Sequence, residues 1–189
     1  KKTDIHLHLT FEQHPKTEHM FVSSAEHMLP HLRELSIEKE SNVLWRRELC
    51  GSFGSNDECR QIAEAFPGIY FWMCNLDDVP ENIFEGLNFK NQGAVGIGEL
   101  MINRSIDDPM IQEIFAAAER LSLPVLFHMS PEVGYEYGIV DDAGLPLLEE
   151  SLKKLSKSEI IGHSQPFWHE ISGDASGDLS SRMEWGKGE

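Results

Sequence analysis

The chain has 189 residues, 40% apolar and 9% aromatic, enough for one packed domain and too apolar for a disordered chain. Its formal charge of -16, from 32 acidic against 16 basic residues, repels a phosphate backbone and argues against nucleic acid as a substrate. The longest apolar runs, such as 68–73, are too short to span a bilayer.

No leader-like segment opens the chain, so the expectation is a cytoplasmic protein that acts on a small molecule away from any membrane. Cys50, Cys59 and Cys74 are odd in number and form no CxxC pair, which predicts reduced thiols, with Cys74 in the core.

Taken in chain order, short apolar runs alternate with helix signals. The runs are DIHLHL (4–9), NVLW (42–45), IYFWMC (69–74), AVGIGEL (94–100), PVLFHM (124–129) and EIIGH (159–163). They lack half-polar alternation and read as strands buried on both faces, as in parallel sheets. Ser23 with Glu26, and Ser55 with Glu58, fit capping boxes for two helices, the first interrupted by Pro30. Asp108-Pro109 opens a helix through Leu121, and another runs over about 146–155. The glycines of GAVGIGEL lie within a strand and predict close strand packing, not a phosphate loop.

This repetition predicts βαβ crossovers, in an open sheet or a (β/α)8 barrel. A full barrel needs about 250 residues. Six units precede residue 165, so the expectation is a TIM-type α/β barrel present incompletely, as a single domain over 1–189. Residues 171–189 read as an irregular tail, either a flexible end or joined fragments of later strands and loops.

The chemistry gathers at strand ends. His6 and His8 are two apart on one strand and share a face. Imidazole suits zinc and similar divalent ions. Glu99, His128 and His163 each close another predicted strand, at the edge where parallel α/β folds build their sites. Such polar groups, buried without a cation, would cost several kcal/mol.

DIHLHL, GIGEL, PVLFHMSP and IIGHSQPFWHE, in this order, resemble the metal-dependent amidohydrolase superfamily, and most of all its amidohydrolase-2 branch. The resemblance covers about residues 3–170. It implies a distorted (β/α)8 barrel with one divalent metal, commonly zinc, at its C-terminal mouth. It makes His6, His8 and His128 metal ligands, and His163 either a ligand or a catalytic acid/base. Two departures stand out. The family's strand-eight Asp has no identifiable counterpart, Asp178 looking more like the end of strand seven. Glu99 occupies a place where many relatives carry Lys; it either binds metal, as in TatD-type nucleases, or orients a ligand histidine.

The resemblance implies a hydrolase cleaving an amide, ester or lactone bond with activated water. The alternative is a non-oxidative decarboxylase of an aromatic or unsaturated acid. Tyr135, Gln165 and Trp168, with Tyr137 and Phe167, lie in loops expected to hang over the metal and contact substrate. Arg104 offers either a substrate-carboxylate contact or a surface ion pair. His27 and His31, and His14 and His19, read as surface or loop histidines. Barrels of this branch often pair, so a homodimer is the expected assembly.

Overall fold

The computed structural model describes residues 2–14, 22–42, 55–76 and 88–172. They fall into two compact units, Lys1–Asn75 with Asn88–Val95, and Leu76–Leu87 with Gly96–Glu189. The predicted tail lies outside the described residues from 173 onward.

In the first unit, β1 (Lys2–Leu7), β4 (Ile37–Asn42) and β5 (Tyr70–Cys74) form a parallel sheet in that order. A short parallel pair, β2 (Leu9–Thr10) and β3 (Ser23–Ser24), leads into helix α1 (Ala25–Glu34). The helix α2 (Asn56–Ala65) precedes β5. Leu9, Ala25, Leu32, Ile62 and Tyr70 make the core, and the Tyr70 hydroxyl donates to the Ala25 carbonyl at 2.8 Å. A buried phenol thus keeps its hydrogen bond while its ring fills apolar space.

Three predictions shift here. Ser24, not Ser23, caps α1: its hydroxyl accepts from the His27 N–H at 3.2 Å, while Ser23 pairs with Leu9 in the small sheet. Helix α1 runs on through Pro30 to Glu34, since proline removes one ladder bond without ending a helix that packs its Leu32 face. A strand lies at Ile37–Asn42, ahead of the predicted run 42–45, of which 43–45 fall outside the described residues. Backbone pairing with β1 and β5 fixes this strand, and pairing leaves no apolar periodicity to read. Ser55 caps α2 as predicted, accepting from Glu58 N–H at 3.0 Å; the Glu58 carboxylate reaches the Phe11 N–H at 2.9 Å.

The second unit is a parallel sheet of β6 (Gly96–Leu100), β7 (Val125–His128) and β8 (Ile160–His163). Its helices are α3 (Pro109–Leu121), α4 (Pro146–Lys154) and α5 (Gln165–Ile171). Asp108 caps α3 by accepting from Met110 N–H at 2.9 Å, Pro109 sits in the first turn, and Ser122 ends it in the left-handed conformation. Ile111, Ile114, Phe115, Ala117 and Ala118 form its buried face.

All of β6 is buried, as a strand covered on both faces should be. A Cβ at Gly98 would lie 2.7 Å from the Leu126 carbonyl oxygen, so the glycine permits the close approach of β6 to β7. The expectation of burial on both faces fails for β1 and β8, whose side chains are partly exposed. Among the described residues β1 pairs with β4 and β8 with β7.

Candidate metal and substrate site

In the first unit, strand alternation puts His6 and His8 on one side, both half-buried. Their Nε2 atoms approach to 3.1 Å and their rings meet edge to face, with centroids 4.8 Å apart. Two imidazoles on one tetrahedral zinc, with bonds of about 2.0–2.1 Å, would hold their nitrogens about 3.3 Å apart. The observed spacing therefore suits two donors to one divalent ion. The His6 N–H donates to the Asp4 carboxylate at 3.0 Å, which ties down the turn of chain that carries the pair.

In the second unit, the three parallel strands present their C-terminal ends at one edge. His128 and His163 are register partners across β7 and β8. Their rings meet at 89°, with centroids 4.7 Å apart. Glu99, 1% exposed, contacts both: its Oε1 lies 3.0 Å from His128 Nδ1 and in short contact with His163 Nε2. A buried carboxylate is costly unless hydrogen-bonded, and two imidazole donors offset that cost. The contact also orients the rings. With His128 Nδ1 turned to Glu99, Nε2 is the nitrogen that could take a metal, as where carboxylates orient metal-binding histidines.

A cavity of about 290 Å³ opens beside His128, lined also by Ser130, Tyr135, Tyr137, Ser164 and Gln165. The Tyr137 ring lies edge to face on His128, with centroids 4.8 Å apart. Tyr135 and Gln165 thus stand on the cavity wall. Trp168 is 59% exposed and is not on that wall. Phe167 packs against Phe127 at 5.8 Å. Arg104 pairs with Asp108 at 3.1 Å on the surface. His27 and His31 are exposed on α1, and His14 is half-buried. His19 and Asp178 lie outside the described residues.

Sequence reading overlooked Ser130 on this cavity's wall and Asn103, which holds a loop that contributes to the wall. Ser130 is buried, with no hydrogen-bond partner for its hydroxyl among the described residues. Asn103, three residues past β6, ties down the loop that carries Tyr135. The only sequence signal for either was proximity to a strand's C-terminal end.

No family model matches the chain, and no curated protein matches it. Solved structures do. One is 2,6-dihydroxybenzoate decarboxylase in complex with 2,6-dihydroxybenzoate, at TM-score 0.57 and 14% identity, covering 88% of this chain and 68% of that one. A second is a Staphylococcus aureus protein proposed to be an amidohydrolase, at 0.56 and 16%, covering 93% and 72%. A third is 5-carboxyvanillate decarboxylase from Novosphingobium aromaticivorans with bound manganese, at 0.50 and 16%, covering 78% and 53%. The chain spans about half to three-quarters of the length of these proteins. Identity this low speaks to fold alone, and on fold the neighbours and the sequence reading agree: the chain has the TIM-type α/β fold of these structures.

Proposed function

We propose that the chain carries the catalytic centre of a metal-dependent hydrolase that cleaves an amide, ester or lactone bond of a small organic molecule. The observation that carries this reading is the contact of one buried carboxylate, Glu99, with two histidines at neighbouring strand ends. The 3.1 Å imidazole pair of His6 and His8 adds a second metal-competent group. The donor set, imidazole nitrogens and one carboxylate, fits a divalent cation. On the motif resemblance His6, His8 and His128 are the expected ligands, and Glu99 and His163 further ligands or orienting groups.

When bound, such an ion supplies Lewis acidity, polarising a carbonyl and making water acidic near neutral pH. The chain's own residues do the rest. Glu99 holds the His128 ring by its Nδ1. His163, whose Nε2 meets the same carboxylate, would act as a catalytic acid/base or as a further ligand. Tyr135 and Gln165 would contact the substrate in the cavity. Zinc is the ion the motifs imply; manganese is the ion of one structural neighbour. Decarboxylation of an aromatic or unsaturated acid is the second reading, supported by two decarboxylases among the structures of like fold.

The test combines elemental analysis of the purified protein with two assays, hydrolysis of an amide, ester and lactone panel and CO2 release from aromatic acids. The expected result is one divalent ion per chain, lost in both His6→Ala and His128→Ala, with hydrolysis lost alongside it. CO2 release without hydrolysis would replace the first reading with the second. A metal-free protein, or full activity in both variants, would overturn both.

A further inference from the structure

We infer that Asn103 is a positioning residue: it fixes the 132–138 loop, and so sets the cavity wall made by Tyr135 and Tyr137. The inference rests on reading that cavity as the substrate site. The loop leaves β7 just after His128 and returns at Ile139, where backbone bonds close its base: Ile139 N–H donates to the His128 carbonyl at 2.7 Å, and Ser130 N–H to the Ile139 carbonyl at 2.8 Å. Between these ties, residues 132–136 are all exposed, so no apolar burial holds them.

The Asn103 side chain does so instead. The Asn103 amide donates to the Glu132 carbonyl at 3.2 Å and to the Gly138 carbonyl at 2.9 Å, and its Oδ1 accepts from the Gly134 N–H at 2.6 Å. These three contacts use both donors and the acceptor of a primary amide, and they span the start, middle and end of the loop. The Gly138 N–H donates to the Met101 carbonyl at 2.7 Å, so the β6 end and the loop are joined twice. Gly138 itself admits no side chain: its φ is +103°, and a Cβ would lie 2.9 Å from Ser130 Cβ and 3.1 Å from the His128 ring. The loop therefore has one seat against His128, and Asn103 is the latch on its far side.

The test compares the wild-type chain with Asn103→Ala and Asn103→Asp, the latter keeping the acceptor for Gly134 and losing both donors. Hydrogen exchange by mass spectrometry is expected to speed up about tenfold in a peptide covering 131–139 of Asn103→Ala, and at least as much in Asn103→Asp, whose second carboxylate oxygen would face the Glu132 and Gly138 carbonyls, with no gain over 125–128. Unchanged exchange in the loop, or acceleration that spreads through β7, overturns the inference. On any substrate found by the panels above, Asn103→Ala is expected to raise KM about fivefold with kcat nearly unchanged, because the wall binds the substrate and takes no part in proton transfer. A fall in kcat at constant KM overturns it. A chain inactive on every panel counts against the proposed function, and the exchange comparison then decides the latch by itself.

Discussion

Glu99 serves two strands with one oxygen atom, in contact with His128 Nδ1 and His163 Nε2. Glutamine in its place keeps the shape and loses the charge that holds both rings. Glu99→Gln is predicted to lower divalent-metal affinity by about 10–100-fold, the usual cost of losing a carboxylate that orients ligand histidines. Metal titration by calorimetry checks this, and unchanged affinity would remove Glu99 from the site. Cys59 and Cys74 show the opposite use of burial. Desolvation pushes each thiol up to about 12, so both stay protonated and inert at neutral pH. A thiol whose pKa is higher in the folded chain than in the unfolded chain stabilises the fold below about pH 9 and ceases to do so as pH rises toward 12. Stability should fall by about 1.4 kcal/mol per pH unit per thiol across that window. Urea unfolding at pH 8 to 11 should show the slope, and replacing both cysteines with alanine should flatten it.

Among the elements, helix α4 starts in an unusual way. Leu145, at its N-cap, lies in the left-handed region and offers no side-chain acceptor. The buried Asp141 supplies one from four residues upstream, accepting from Leu148 N–H at 2.8 Å and Leu147 N–H at 3.1 Å. Burial raises its pKa, and those backbone donors partly oppose the rise. Asp141→Ala is predicted to cost about 1–2 kcal/mol, as for a lost helix cap, read as a lower urea midpoint at constant m-value. The α4 helix was legible in the sequence because Pro146 and the apolar spacing mark it, but its cap was not, since a cap reached across a loop has no fixed spacing. Helix α3 was legible at both ends, because Asp108, Pro109 and the apolar face act within a few residues of one another. Strand β4 went unread for the converse reason. IEKESN carries no apolar period, and its neighbours β1 and β5 make it a strand.

For the whole molecule, the proposed metal centre predicts a stability linkage. An ion that binds only the folded chain adds about 2.7 kcal/mol at a hundred times its dissociation constant. Chelation should therefore lower the Tm, and either zinc or manganese should restore it. A Tm indifferent to chelator and metal would mean that no such ion contributes to the fold. The charge of -16 bears on partners rather than on folding. No helix among the described residues is long and apolar enough to cross a membrane.

What the sequence determined by itself was local. Two residues of one strand two places apart must share a face, so the approach of His6 to His8 was readable from TDIHLHL. The same holds for the helix starts at Ser55 and Asp108. Parallel α/β architecture followed from the repetition of such units. Only the tertiary structure decided which distant groups meet. Glu99 lies 29 residues from His128 and 64 from His163, and their contact depends on strand register, which no local spacing encodes. The grip of Asn103 on a loop about 30 residues away belongs to the same class. Side-chain periodicity specifies which face a residue takes, whereas strand pairing and loop closure specify which residue stands opposite it.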